Sequence, residues 1–137
     1  MNVNNIQINN MMLIEFQDKI CRAVSSGSVF KNPGSGTSVV KSITNDRIYY
    51  KRRSSTISIK FADLFNAYQT FKGSWISSAD LKKLAPNVFD TKARPAGHDC
   101  NCTFLYLILQ SVGLAGNISG SGVKGDPFII LLYDSEI

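Results

Sequence analysis

Apolar residues recur along this chain in two periods, and the switches between them mark out the elements. From Asn10 the spacing is helical: Leu13, Phe16, Ile20, Ala23 and Val24 share one face, while Glu15, Asp18, Lys19 and Arg22 fall elsewhere. Residues 1–8 are polar and asparagine-rich and are expected to fray. Cys21 borders the stripe and reads as a small core residue rather than a reactive thiol. Ser25-Ser-Gly-Ser28 ends the helix, and Lys31-Asn-Pro-Gly-Ser-Gly-Thr37 has the composition of a loop. From Val39 to Lys60 the period becomes two. Val39, Val40 and Ile43 lead to an Asn45-Asp46 turn, then Ile48-Tyr-Tyr50, and Ile57 and Ile59 alternate with polar neighbours. The expectation is an antiparallel hairpin or three-stranded meander, with the basic segment Lys51–Ser55 at one connection. One of Tyr49 and Tyr50 should face the core and the other the surface.

The helical period returns at Phe61, Leu64, Phe65, Tyr68 and Phe71, and Lys72-Gly73 stops it. Trp75-Ile76 is short and extended. Ser77, with Asp80 three residues on, is a capping-box variant opening a helix that holds Leu81 and Leu84, with Lys82 and Lys83 facing solvent and Pro86 as its stop. Thirteen residues, Asn87–Asp99, follow, with Val88-Phe89 expected to anchor in the core. Asp99 is the expected N-cap of an apolar helix over Cys100–Val112, and Gly113-Leu114 its glycine C-cap with a hydrophobic partner. Two extended segments, around Ile118 and from Phe128 to Tyr133, then flank a glycine-rich stretch, Gly120–Pro127, which reads as a flexible, cationic hairpin tip. Residues 133–137 are expected to be loose.

Charge changes this picture at one place. Between Lys41 and Lys60 lie six basic residues against one acid, Asp46, which equals the whole net charge of +5. A local excess of this kind suits a surface that contacts phosphates, because each neutralised phosphate releases condensed counterions. An apolar fraction of 44% and a charged fraction of 18% belong to a folded globular chain of one domain, residues 1–137. No apolar run approaches the ~20 residues of a membrane span. Met1–Asn5 has no basic segment followed by an apolar one, and three cysteines are too few for a disulfide scaffold, which points to a reducing, cytoplasmic setting.

The order from Phe61 onward is helix, short strand, helix, helix, strand, glycine-rich tip, strand. Over about residues 60–133 this order, with its Gly-Leu helix end and glycine-rich tip, resembles a winged-helix domain of the helix-turn-helix superfamily. The resemblance implies an α+β fold: a winged-helix-like core at 60–133, with residues 1–59 an N-terminal helix and basic β-hairpin packed against it. It also implies a non-catalytic DNA-binding protein or module, of a bacterium or phage, whose partner is double-stranded DNA. Phosphate contacts would come from Lys51, Arg52, Arg53, Lys92, Arg94 and Lys124, and base contacts from His98, Asn101 and Thr103 at the start of the third core helix. The thirteen-residue connection departs from the usual three or four. With the helix body apolar, only its N-terminal end and the preceding loop are free to touch bases. The alternative is a winged-helix protein–protein interaction module, with a protein partner or a second copy of the chain.

Other chemistry finds less support. Gly120-Ser-Gly-Val-Lys-Gly125 matches the dinucleotide-binding glycine pattern, but a strand follows where phosphate binding needs a helix. His98, Cys100 and Cys102 have zinc-type donors at a poor spacing, with Cys21 remote, so no metal and no cofactor are expected. A cysteine peptidase needs a histidine oriented towards its thiol, and His98 is the only histidine. Glu15 and Glu136 are the only glutamates, and no nuclease-type carboxylate arrangement exists.

Overall fold

The computed structural model describes residues 3–135, with side chains from Met12 onward. Met1-Asn2 and Glu136-Ile137, the extremes of the expected lead-in and tail, lie outside the described residues. Helix α1 (Val3–Ala23) starts earlier than its apolar stripe does. Four strands follow in chain order: β1 (Val29–Lys31), β2 (Thr37–Ile43), β3 (Arg47–Arg52) and β4 (Ser55–Lys60). They form one antiparallel sheet of order β1-β2-β3-β4. The expected meander is therefore present and extended by β1, which pairs Val29 with Val39 and Lys31 with Thr37. Three residues are too few to show a period, so the loop expected at 31–37 is the turn between β1 and β2.

Alternation divides the sheet into two unlike faces. Val40, Ile48, Tyr50, Ile57 and Ile59 are buried on one. The other carries Lys31, Val39, Arg47, Tyr49, Lys51, Ser58 and Lys60, none of them buried. A bulge between Val40 and Ser42 leaves Lys41 outside the ladder, which lets the strand keep its apolar register on both sides of it.

Helix α2 (Phe61–Phe71) begins directly after β4 and buries Phe61, Leu64, Ala67 and Tyr68. It packs on α1 through Phe16, whose ring lies 5.1 Å from Phe65 and 6.1 Å from Tyr68. Strand β5 (Trp75–Ser77) leads to α3 (Ser78–Leu84), where the Ser77 N–H donates to the Asp80 carboxylate at 2.9 Å, the reciprocal arm of a capping box. Pro86 stops α3 and also starts a single turn, α4 (Pro86–Phe89), because proline suits a first helical position. That turn sets Phe89 in the core, fully buried.

Helix α5 (Cys100–Ser111) is the axis of the core: Phe104, Leu105, Tyr106, Ile108 and Leu109 are all buried. Its end is a Schellman motif, with Leu114 N–H donating to Leu109 O at 2.9 Å, Gly113 N–H to Gln110 O at 3.1 Å, and φ +77° at Gly113. Tyr50 of β3 stacks on Phe104 with centroids 3.7 Å apart, so the sheet and α5 share one core that also holds Phe16. Strand β6 (Ile129–Leu131) pairs antiparallel with β5, and single bridges join Ala115 to Leu132 and Ser119 to Ile129.

Two expectations about loose segments change. The tip at 120–127 is closed down: Asp126 accepts from the Ser121 N–H and hydroxyl, and a β-carbon on Gly122 would run into the Phe128 ring. Near the end, Tyr133 N–H donates to Leu114 O, and the buried Tyr68 hydroxyl donates to Tyr133 O at 2.6 Å. Tyr133–Ser135 are thereby tied to the core. No described helix is long and apolar enough to cross a membrane.

Candidate functional site

The β3–β4 turn and the start of α5 lie side by side, which joins the two segments singled out for charge and for base contact. Alternation carries Arg52 to the same side as Ile48 and Tyr50, but at the end of the strand, where its head clears the core. There its guanidinium donates to Thr103 Oγ1 at 2.9 Å. Arg53 and Ser54 form the turn, and Arg53 takes a left-handed φ of +56°, which costs a residue with a β-carbon about 1–2 kcal/mol. Lys51 is exposed on the opposite, open face.

Asn101 does not sit where a base could reach it. It is only 2% exposed; its Oδ1 accepts from the Tyr50 hydroxyl at 2.7 Å, and its Nδ2 donates to Val88 O at 3.0 Å. A weaker contact reaches Ser58 O at 3.5 Å. The helix turn that exposes Thr103 aims Asn101 inward, and its amide fastens β3, β4 and α4 to α5. Asp99 is likewise not a side-chain N-cap. It has helical backbone angles, and its carboxylate accepts from the Thr91 N–H at 2.8 Å and meets Lys82 Nζ at 3.3 Å. Burial works against its charge, but the Thr91 hydrogen bond and the Lys82 ammonium outweigh that and hold it below the ordinary carboxylate range. Lys82, expected to face solvent freely, thus reaches across to the loop.

The remaining residues divide. His98 is half-buried and lines two open grooves, one of about 630 Å³ with Arg52, Arg53 and Cys100, the other of about 510 Å³ with Arg47, Ser58 and Lys60. Lys92 and Arg94 are exposed on the loop before α5 but line neither groove. Lys124 is exposed on the closed tip. Beside Arg52 a third cleft, of about 380 Å³, lies between Lys82, Cys100, Tyr106, Val123 and Phe128. Cys102 turns away into the core, its thiol directed at Phe89 O (3.6 Å) and pushed up to about 12 by burial. Among the described residues no three of the metal-ligating types come together.

Sequence reasoning missed the extent of the cationic face. No acid lies on any of the four strands; Lys31, Arg47 and Lys60 join Lys51 on the open face, with Lys41 at its bulge and Arg52 at the strand end beside it. The signal for Lys41, Arg47 and Lys60 was already in the charge count. Lys31 needed the unforeseen strand β1. Among the described residues, only Arg47 of these cations lies within ion-pair distance of a carboxylate, Asp46 at 3.9 Å.

No protein-family model, curated protein or solved structure matches the chain. The reading of the site therefore rests on its geometry.

Proposed function

We propose that this chain is a non-catalytic DNA-binding module that grips the phosphate backbone with the sheet and its β3–β4 turn. The observation that carries this reading is the acid-free, four-stranded cationic face, one side packed on the helices and the other open. A protein gains nothing in folding by gathering unpaired like charges on one surface, since they repel one another; a polyanion rewards them through counterion release. Arg53 supports the reading further, because a strained backbone angle is kept at a residue whose side chain is free to solvent.

Within this proposal the winged-helix comparison applies to residues 60–133. It is supported by the element order, by the pairing of β5 with β6, and by the bridges that lay residues 115–119 beside β6. The buried Asn101 moves the weight of recognition from base edges to phosphates. Affinity should then depend steeply on salt and little on sequence. The protein–protein alternative draws on one feature, the exposure of Trp75 at 57% and Tyr133 at 42% at the small sheet.

The test is retention of labelled random-sequence DNA at two salt concentrations by the wild type and by Lys51→Glu/Arg53→Glu. The double variant should bind far more weakly, with its log–log salt slope flatter by about two, near 0.9 for each lost phosphate contact. Wild-type protein that binds no DNA at low salt, or a variant with unchanged slope, refutes the proposal.

A further inference from the structure

The two grooves that His98 lines are two halves of one feature. Both are also lined by Thr56, and both follow the outer edge of β4, which pairs with β3 alone. Cations stand at each end. Arg52 and Arg53 are at the turn, while Arg47 and Lys60, a cross-strand pair, are at the far end of the ladder. Five residue steps separate these ends, about 17 Å at ~3.4 Å per residue. Between them lie the Thr56 and Ser58 hydroxyls, the outward backbone groups of an edge strand, and the His98 ring. The single carboxylate lining the groove is Asp63, at the Lys60 end.

We infer that this groove takes one strand of DNA in single-stranded form, and the inference rests on the DNA-binding reading above. The geometry separates a strand from a duplex. A duplex offers two rows of phosphates, set apart by a major groove ~12 Å wide, with base edges recessed between them. The β4 groove offers one row of charge, along one edge, with hydrogen-bonding groups and a ring between its ends. A single strand matches this: its backbone spans the two cationic ends, and its unstacked bases turn to the hydroxyls and lie against the imidazole. Arg47 keeps the far end in position, donating to Ser58 Oγ at 3.0 Å while its guanidinium lies 6.0 Å from the Tyr49 ring.

The experiment compares a labelled oligothymidylate of about fifteen nucleotides, within the usual site sizes, with a mixed-sequence duplex of the same length at one fixed salt concentration. The strand should bind about tenfold tighter, the factor that one base–ring stack is worth. His98→Ala should remove about that factor for the strand and leave duplex affinity unchanged, and Lys60→Glu should weaken the strand more than the duplex. Circular dichroism checks that both variants fold. Equal or tighter duplex binding overturns the groove assignment and leaves the DNA-binding reading standing. Absence of binding to either overturns both. A strand preference that survives both substitutions places the strand elsewhere and refutes the groove.

Discussion

Replacing Asn101 with alanine cuts the fastening between α5 and the sheet, and its effect follows from what is left behind. The Tyr50 hydroxyl, in a fully buried side chain, loses its acceptor at 2.7 Å, while the Val88 carbonyl loses one donor at 3.0 Å but keeps the His98 N–H at 3.1 Å. An orphaned buried polar group costs about 1–3 kcal/mol. Tyr50 sits flat against Phe104 and has little freedom to turn its hydroxyl to water, so it belongs near the upper end. The Val88 carbonyl remains bonded to the His98 N–H, so its loss of the amide donor adds little. The contact to Ser58 O, at 3.5 Å, adds little. The loss is about 2–3 kcal/mol, a large part of the 5–15 kcal/mol that holds a typical domain together. With a urea slope of about 1–2 kcal/mol per molar, the unfolding midpoint should fall by about 1–3 M. Tyr50→Phe alone should cost less, because Asn101 keeps its bond to Val88 O at 3.0 Å and only its amide oxygen is left unpaired. A double-mutant cycle should return a coupling of about 1–2 kcal/mol. Fluorescence-monitored urea titrations of the four proteins measure this. A loss below about 0.5 kcal/mol for Asn101→Ala, or a coupling indistinguishable from zero, would refute the placement of this amide in the core.

Three further outcomes follow from particular positions. Arg53→Gly should raise stability by up to about 1 kcal/mol, since glycine accepts φ +56° without strain, while weakening DNA binding; a variant no more stable than wild type would show that the turn is unstrained. Gly122→Ala combines φ +76° with a collision against Phe128 and should cost about 1–3 kcal/mol, seen as a lower melting temperature and faster amide exchange over residues 119–129. At alkaline pH the folded chain should weaken. Burial raises Cys102 from 9.0 to about 12 and lifts Tyr50 and Tyr106 above the ordinary tyrosine range, so the folded state holds protons that the unfolded state releases. That stabilisation is complete below pH 9 and declines from pH 9 to about 12; urea midpoints that stay level across this range would contradict it.

Much of the architecture was legible in the one-dimensional pattern because burial acts on it directly. Phe61 to Phe71 and Ile57-Ser-Ile59 announce a helix and a strand, since one face of each must leave water. Gly113-Leu114 announces a helix end, since few other residues accept that backbone angle. Charge counting found Lys51, Arg52 and Arg53, and the structure places Arg52 against Thr103. What the chain alone did not decide was direction. Asn101 and Thr103 are both polar residues of a helix's first turn, two positions apart and so about 200° around the axis; only the packing of α5 against Tyr50 determines which of them is buried. Lys82 looks like any surface lysine until the 91–99 loop brings Asp99 to it. Strand β1 is too short to carry a period and exists because β2 offers it an edge. The groove along β4 joins residues of the 47–60 hairpin to His98, forty residues away, and no local pattern contains it. Periodicity records which residues leave water, because that cost is paid residue by residue; which polar groups then meet depends on contacts between distant elements, and those exist only once the chain has closed around α5.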